Sequence, residues 1–205
     1  MKVLISVLIG YLIGSLSPSA LIGRIKKTNL RNNGTKNLGA TNTMLHFGKG
    51  WGALVMLLDM LKAIVAVMIA AILCPEQPLI SLCAGTAAVV GHVFPFYMGF
   101  KGGKGLATFG GLVLAVNPPV FLFLLILGCI LMVIVNYSFI LPFSAGILFP
   151  ILHGLRTGSM AAFLIAACSS ALIMYKHRDN VVKAFHGEDI RIREFLRNSS
   201  KHSVK

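Results

Sequence analysis

Acid is the scarcest polar chemistry in this chain: six Asp and Glu stand against nineteen Lys and Arg in 205 residues, a formal charge of +13. Cysteine is sparse too. Cys74, Cys83, Cys129 and Cys168 stand alone in apolar surroundings, with no CxxC or Cys/His cluster, so they read as packing residues and no metal or redox pair is expected. There is no GxSxG elbow, no HExxH and no His-x4-Asp pair, because Val182 stands five after His177. Gly103-Lys104 is not a Walker loop, since Met98 and Gly105 occupy the positions that need Gly and Ser or Thr. Basic residues are not interleaved with aromatics, which leaves nucleic acid a distant choice despite the charge.

What remains is apolar sequence. Hydrophobic residues make up 56% and mean hydropathy is +0.82, which excludes an ordinary soluble globule. Val3 to Ile22, Leu54 to Leu73 and Pro119 to Val135 are nearly uncharged at bilayer-crossing length. They lack the alternation of a β-barrel, so an all-α polytopic membrane protein is expected. Lys2 and the apolar run after it resemble a signal peptide, but the run resumes at Leu21-Ile22, which favours a retained first helix. The expected spans are 3–23, 51–73, 79–98, 106–116, 119–135, 139–152 and 159–175. The fourth and sixth are short, as in helices that stop part-way around a cavity.

The basic residues set the orientation. Lys26, Lys27, Arg31, Lys36 and Lys49 fall in the first loop and Lys101 and Lys104 in the third, with Lys176, Arg178, Lys183, Arg191, Arg193, Arg197, Lys201 and Lys205 at the end. By the positive-inside rule the N-terminus is outside, the C-terminus is cytoplasmic and the number of spans is odd, which seven transmembrane helices satisfy. One domain, 1–198, and a basic cytoplasmic tail, 199–205, are expected. Within the second span Asp59 and Lys62 are three apart and predict an inward-facing ion pair.

Three polar clusters then share the cytoplasmic face, whereas orientation alone requires only charge there. The central one, Gly91 to Gly111, sets His92, Lys101 and Lys104 among Gly99, Gly102, Gly103 and Gly105. Bare backbone and two cations suggest an anion site; the plainer reading is an orienting loop. Arg31 to Asn42 supplies Asn32, Asn33, Thr35, Asn37, Thr41 and Asn42, which suit an oxygen-rich ligand or an ordinary turn. Tyr175 to Asp189 carries His177 and Asn180, which share a face if the last helix continues. His177 is either a base or an interfacial polar tip. Carboxylates are too few for a hydrolytic pair, since only Asp59, Asp179 and three acids further down the tail can face this side.

Gly14-Ser15 with Pro18, Gly34 to Asn42, the GHxxPxxxGFKGGKGxAT block from Gly91 to Thr108, and His177-Arg178-Asp179-Asn180 with Gly187-Glu188 together resemble the bacterial acyl-phosphate-dependent glycerol-3-phosphate acyltransferases. The resemblance implies a multi-pass enzyme of the bacterial inner membrane, without cofactor or metal. It implies transfer of a fatty acyl group from acyl phosphate to glycerol 3-phosphate, giving lysophosphatidic acid for phospholipid synthesis. On this likeness His177, Asn180 and Lys104 belong to the reacting centre. Arg31, Thr35, Lys36, Asn37, Thr41, Asn42, His92, Lys101, Gly102 and Gly103 belong to substrate binding. The chain departs from the family pattern in having Gly34-Thr35-Lys36-Asn37 for Gly-Ser-Gly-Asn, Leu45 for an arginine, and Pro142 for a serine. A rival from another class is a transporter or flippase for an anionic lipid or phosphate ester, with Asp59 and Lys62 as its charged relay.

Overall fold

The computed structural model describes residues 1–189 and 191–193; Arg197 and the expected tail, 199–205, lie outside the described residues. Pro18 decides how the chain begins. Lacking an N–H, it cannot bond the Gly14 carbonyl, so α1 stops at Lys2–Ser15. The chain restarts as α2, Pro18–Ile25, with proline at a first-turn position where no donor is needed and the Ser17 hydroxyl accepting from the Ala20 N–H at 3.4 Å. There follow α3 (Ala40–Phe47), α4 (Lys49–Leu73), α5 (Pro78–Val93), α6 (Leu106–Val116), α7 (Pro118–Val135), α8 (Ile140–Thr157) and α9 (Met160–Phe185). Among the described residues the protein is all-helical, with one isolated bridge between Tyr137 and Arg191.

Six helical stretches are long and apolar enough to cross a bilayer, counting α1 and α2 as one. The fourth expected span, α6, has 11 residues, and at about 1.5 Å per residue it reaches roughly half-way across. Two expectations about length change. The first loop contains α3, which a run of Asn, Gly and Thr did not suggest. The last helix continues well past Tyr175, so His177 and Asn180 do share a face.

The bundle closes around α5, whose Ala84, Gly85, Ala88 and Val89 are buried. Small residues let backbones meet: a Cβ at Gly10 or Gly14 of α1 would strike the backbone of Ala84 or Ala88. Phe109 of α6 meets Phe149 of α8 edge-on at 5.5 Å, anchoring the other half of the core.

The break at Pro18 also explains the buried charge. It leaves the carbonyls of Gly14 and Leu16 without helical donors, since the Ala20 N–H has gone to Ser17. The Lys62 ammonium of α4 donates to both, at 3.1 and 2.8 Å. Asp59, one turn earlier, balances that charge at 2.9 Å, so the expected inward ion pair is present. Removing one partner of a buried pair strands the other. Lys62→Met is therefore expected to destabilise the protein by about 3 kcal/mol, read as a lower thermal unfolding midpoint in detergent than that of the parent.

Candidate active site

The glycine loop is shaped by how close it must come to α5. The Gly102 and Gly103 N–H groups donate to the carbonyls of Val93 and His92, at 3.0 and 3.2 Å, and so cap the α5 C-terminus. A Cβ at Gly103 would collide with His92 Nε2 and the Leu38 carbonyl, and one at Gly102 with the His92 carbonyl. These two glycines are there for close approach. Their amides are bonded to the α5 carbonyls.

His92 lies beneath this loop. It is buried, and its Nδ1 lies 2.8 Å from the Lys62 ammonium and 3.3 Å from Asp59, so it supports the loop from below. Gly105 adopts φ +86° and caps the start of α6, where a Cβ would press on Ile173 of α9 at 2.9 Å.

Between these glycines Lys104 reaches out to α9. Its ammonium donates to Asn180 Oδ1, and Asn180 Nδ2 donates to Asp189 Oδ1 at 3.1 Å. The orientation of the amide follows from its partners, since an ammonium only donates and a carboxylate only accepts. Burial pushes the Lys104 ammonium below the ordinary lysine range, opposed by the nearby carboxylates of Asp179 and Asp189.

One helical turn before Asn180, His177 is buried, and its Nδ1 lies 2.9 Å from the Ile173 carbonyl. A carbonyl can only accept, so in the neutral ring Nδ1 carries the proton and Nε2 keeps the lone pair. Lys176 of the same turn stands over the Phe94 ring at 5.5 Å, a further link between α9 and the glycine loop.

The first loop is organised by Asn42. Its Nδ2 donates to the carbonyls of Leu30 and Asn33 at 2.8 and 3.2 Å, and its Oδ1 accepts from the Thr35 N–H at 3.0 Å. Asn42 is fully buried and braces the loop. Arg31 ties this loop to the next by donating from its Nη2 to the carbonyls of Met98, at 3.0 Å, and Lys101.

Thr35, Lys36 and Thr41 are exposed and Asn37 is half-buried. No hydrogen bond or ion pair among the described residues joins these four to Lys104 or His177. Lys101 is exposed at the loop tip. Leu45, on α3, is 46% exposed, so the position where the family pattern has arginine faces outward. Pro142 is buried in the first turn of α8, where a missing N–H costs nothing.

One end of the bundle thus gathers the first loop, the glycine loop and the α9 terminus. The segment after α9 returns across it, with the Ile192 and Arg193 N–H groups donating to Asn136 at 3.3 and 2.9 Å. Asp189 is the residue that sequence reasoning missed. It belongs with three tail acids set aside as too few to pair, and only the turn at Gly187, φ +74°, brings it back to Asn180. Among the described residues no group of three His, Cys, Asp or Glu side chains could hold a metal ion.

The family model for glycerol-3-phosphate acyltransferase matches residues 4–187. A glycerol-3-phosphate acyltransferase of Aquifex aeolicus (strain VF5) is 37% identical over 194 residues, covering 93% of this chain and 100% of the relative. One from Streptococcus thermophilus (strain CNRZ 1066) is 36% identical, covering 89% and 90%. Crystal structures of PlsY (YgiH), an integral membrane glycerol 3-phosphate acyltransferase, are similar too. The glycerol 3-phosphate form gives a TM-score of 0.87 at 33% identity, over 96% of this chain and 99% of that one. The lysophosphatidic acid form gives 0.84 at 32%, over 93% and 95%.

Proposed function

Because the chain belongs to the glycerol-3-phosphate acyltransferase family, we propose that it acylates glycerol 3-phosphate with acyl phosphate as donor and releases lysophosphatidic acid and inorganic phosphate. The observation that carries this reading is the junction of Lys104 with Asn180, one turn from His177, at the basic end of an apolar bundle. Both substrates are phosphates, and an ammonium on a loop is suited to hold one.

The glycerol oxygen attacks the acyl carbonyl, the ester C–O bond forms, and the C–O bond to phosphate breaks. Lys104 holds a substrate phosphate and Asn180 keeps that ammonium in place. The hydroxyl proton goes to His177 Nε2 or to an oxygen of the donor phosphate, and either route leaves atoms and charge balanced. Thr35, Lys36, Asn37 and Thr41 offer the first-loop hydrogen bonds to phosphate and glycerol. No step calls for a cofactor.

In this reading the glycine loop and α6 together complete the seventh crossing, so the N-terminus is outside and the basic end faces the cytoplasm of a bacterial cell membrane. The ion pair of Asp59 and Lys62, with the Lys62 ammonium also bonded to two backbone carbonyls, favours a fixed brace over a transport relay. The test is purified protein with palmitoyl phosphate and radiolabelled glycerol 3-phosphate. Labelled lysophosphatidate supports the enzyme; uptake into vesicles without new product supports the transporter.

Lys36 stands where the family pattern has glycine and itself adopts φ +57°. It partly replaces the cation absent at Leu45. Lys36→Gly is expected to raise KM for glycerol 3-phosphate about tenfold, the worth of one charged hydrogen bond at its lower bound. An unchanged KM removes Lys36 from the site.

A further inference from the structure

One cavity lies apart from Lys104, which is not in its lining. It occupies about 390 Å³ between α2 and the turn that follows it, on the basic end of the bundle. Ala20, Leu38 and Met98 contribute its apolar wall, and Arg24, Lys27 and Arg31 line it with charge. No acidic side chain is in the lining. Orientation in the bilayer requires cations on this face, but it does not require three of them to line one hollow.

Two features equip this hollow for a phosphate. Arg31 Nη2 is held by the Met98 and Lys101 carbonyls, which fixes the guanidinium, while no bond is recorded for its Nε and Nη1 among the described residues. Lys27 takes φ +51°, unusual for a residue with a side chain, in the turn that forms the cavity edge. Beside it, Leu21 and Ile25 of α2 are 60% and 66% exposed, an outward apolar face that puts the opening next to lipid.

We propose that this cavity is a second phosphate site, separate from the Lys104 centre, whose ligand is a phosphate-bearing headgroup or a soluble phosphate monoester held by Arg24, Lys27 and Arg31. An acidic glycerophospholipid brings both a phosphate for the cations and a glycerol backbone for the apolar wall. A soluble monoester uses the cations alone. Since Arg31 is bonded to the glycine loop, an occupied cavity also bears on the loop that carries Lys104.

The experiment is binding, independent of turnover, in nanodiscs. The double variant Arg24→Gln/Lys27→Gln is compared with the parent and with a charge-matched control, Lys26→Gln/Lys49→Gln, whose two lysines lie on the same end but outside the cavity. In one arm, native mass spectrometry of protein from nanodiscs of phosphatidylcholine with 20% phosphatidylglycerol counts retained phosphatidylglycerol. In the other, calorimetry in phosphatidylcholine nanodiscs measures glycerol 3-phosphate and inorganic phosphate.

For a lipid ligand, the cavity variant loses about thirtyfold in phosphatidylglycerol retention while the control keeps it, since it lacks two cations that contribute about 1 kcal/mol each. For a soluble ligand, the parent and control show two phosphate sites and the cavity variant one. The proposal is overturned if cavity variant and control match in both arms, because a general positive surface then explains all binding. The control also absorbs any effect of lost charge on folding, which the unfolding midpoints of both variants report.

Discussion

Lys104→Ala is expected to lower lysophosphatidate formation from palmitoyl phosphate by about 10²- to 10³-fold, the loss seen when one preorganised charge-stabilising donor is removed. The size follows from where the ammonium sits. It is partly buried on a loop pinned by the α5 carbonyls and is directed by Asn180, so little reorganisation is needed when phosphate arrives. An ammonium with a depressed pKa is charged, and able to hold phosphate, only below that pKa. Activity is therefore expected to fall on the alkaline side before the ordinary lysine value of about 10.4. Lys104→Arg, charged throughout, is expected to lose that alkaline limb even if its rate is lower. A Lys104→Ala variant within a few-fold of the parent removes the lysine from the site.

His177→Ala is expected to lower kcat by about 10²- to 10⁴-fold with little change in either KM, as befits a group that handles a proton in the transition state. Its Nδ1 is committed to the Ile173 carbonyl, so the ring cannot turn Nε2 away without giving up that bond in a buried place. His177→Asn separates the two alternatives for the proton. An amide at that position can hydrogen-bond but cannot take a proton. A rate near the parent's assigns the proton to the donor phosphate, whereas a rate like that of His177→Ala assigns it to histidine. A raised KM for glycerol 3-phosphate with unchanged kcat makes His177 a binding residue instead.

Much of this architecture was legible because lipid imposes simple rules. Uncharged runs of bilayer length, without the alternation of a β-barrel, identified the all-α membrane fold. The spacing of Asp59 and Lys62 revealed a pair, since charges inside a membrane must face one another. The job of that pair was not legible. It depends on two carbonyls orphaned by Pro18, and a proline in an apolar run does not say which distant side chain will satisfy them.

The glycine loop shows the other limit. Gly102 and Gly103 read as an open anion cradle because bare backbone suits either a ligand or a neighbouring chain, and the sequence is the same in both cases. Their amides went to α5. Asn42 was hidden by the same ambiguity: an amide in a turn-rich loop can serve a ligand or the turn, and here it serves the turn. Asp189 was hidden by distance, since nothing local indicates that a chain will reverse at Gly187 and bring a carboxylate to an asparagine nine residues back. His177 and Asn180 were readable as a pair because helical periodicity continues past Tyr175 without a break.

The central idea is that the glycine loop and the end of α9 act as one unit through Lys104 and Asn180. The most direct measurement is a double-mutant cycle on acyl transfer from palmitoyl phosphate to glycerol 3-phosphate, using Lys104→Ala, Asn180→Ala and the double variant. The double variant is expected to be no worse than the weaker single variant by more than about threefold, because the second change removes an interaction already lost. Penalties that multiply would mean that the two side chains act independently, and the proposed centre would be two unrelated sites.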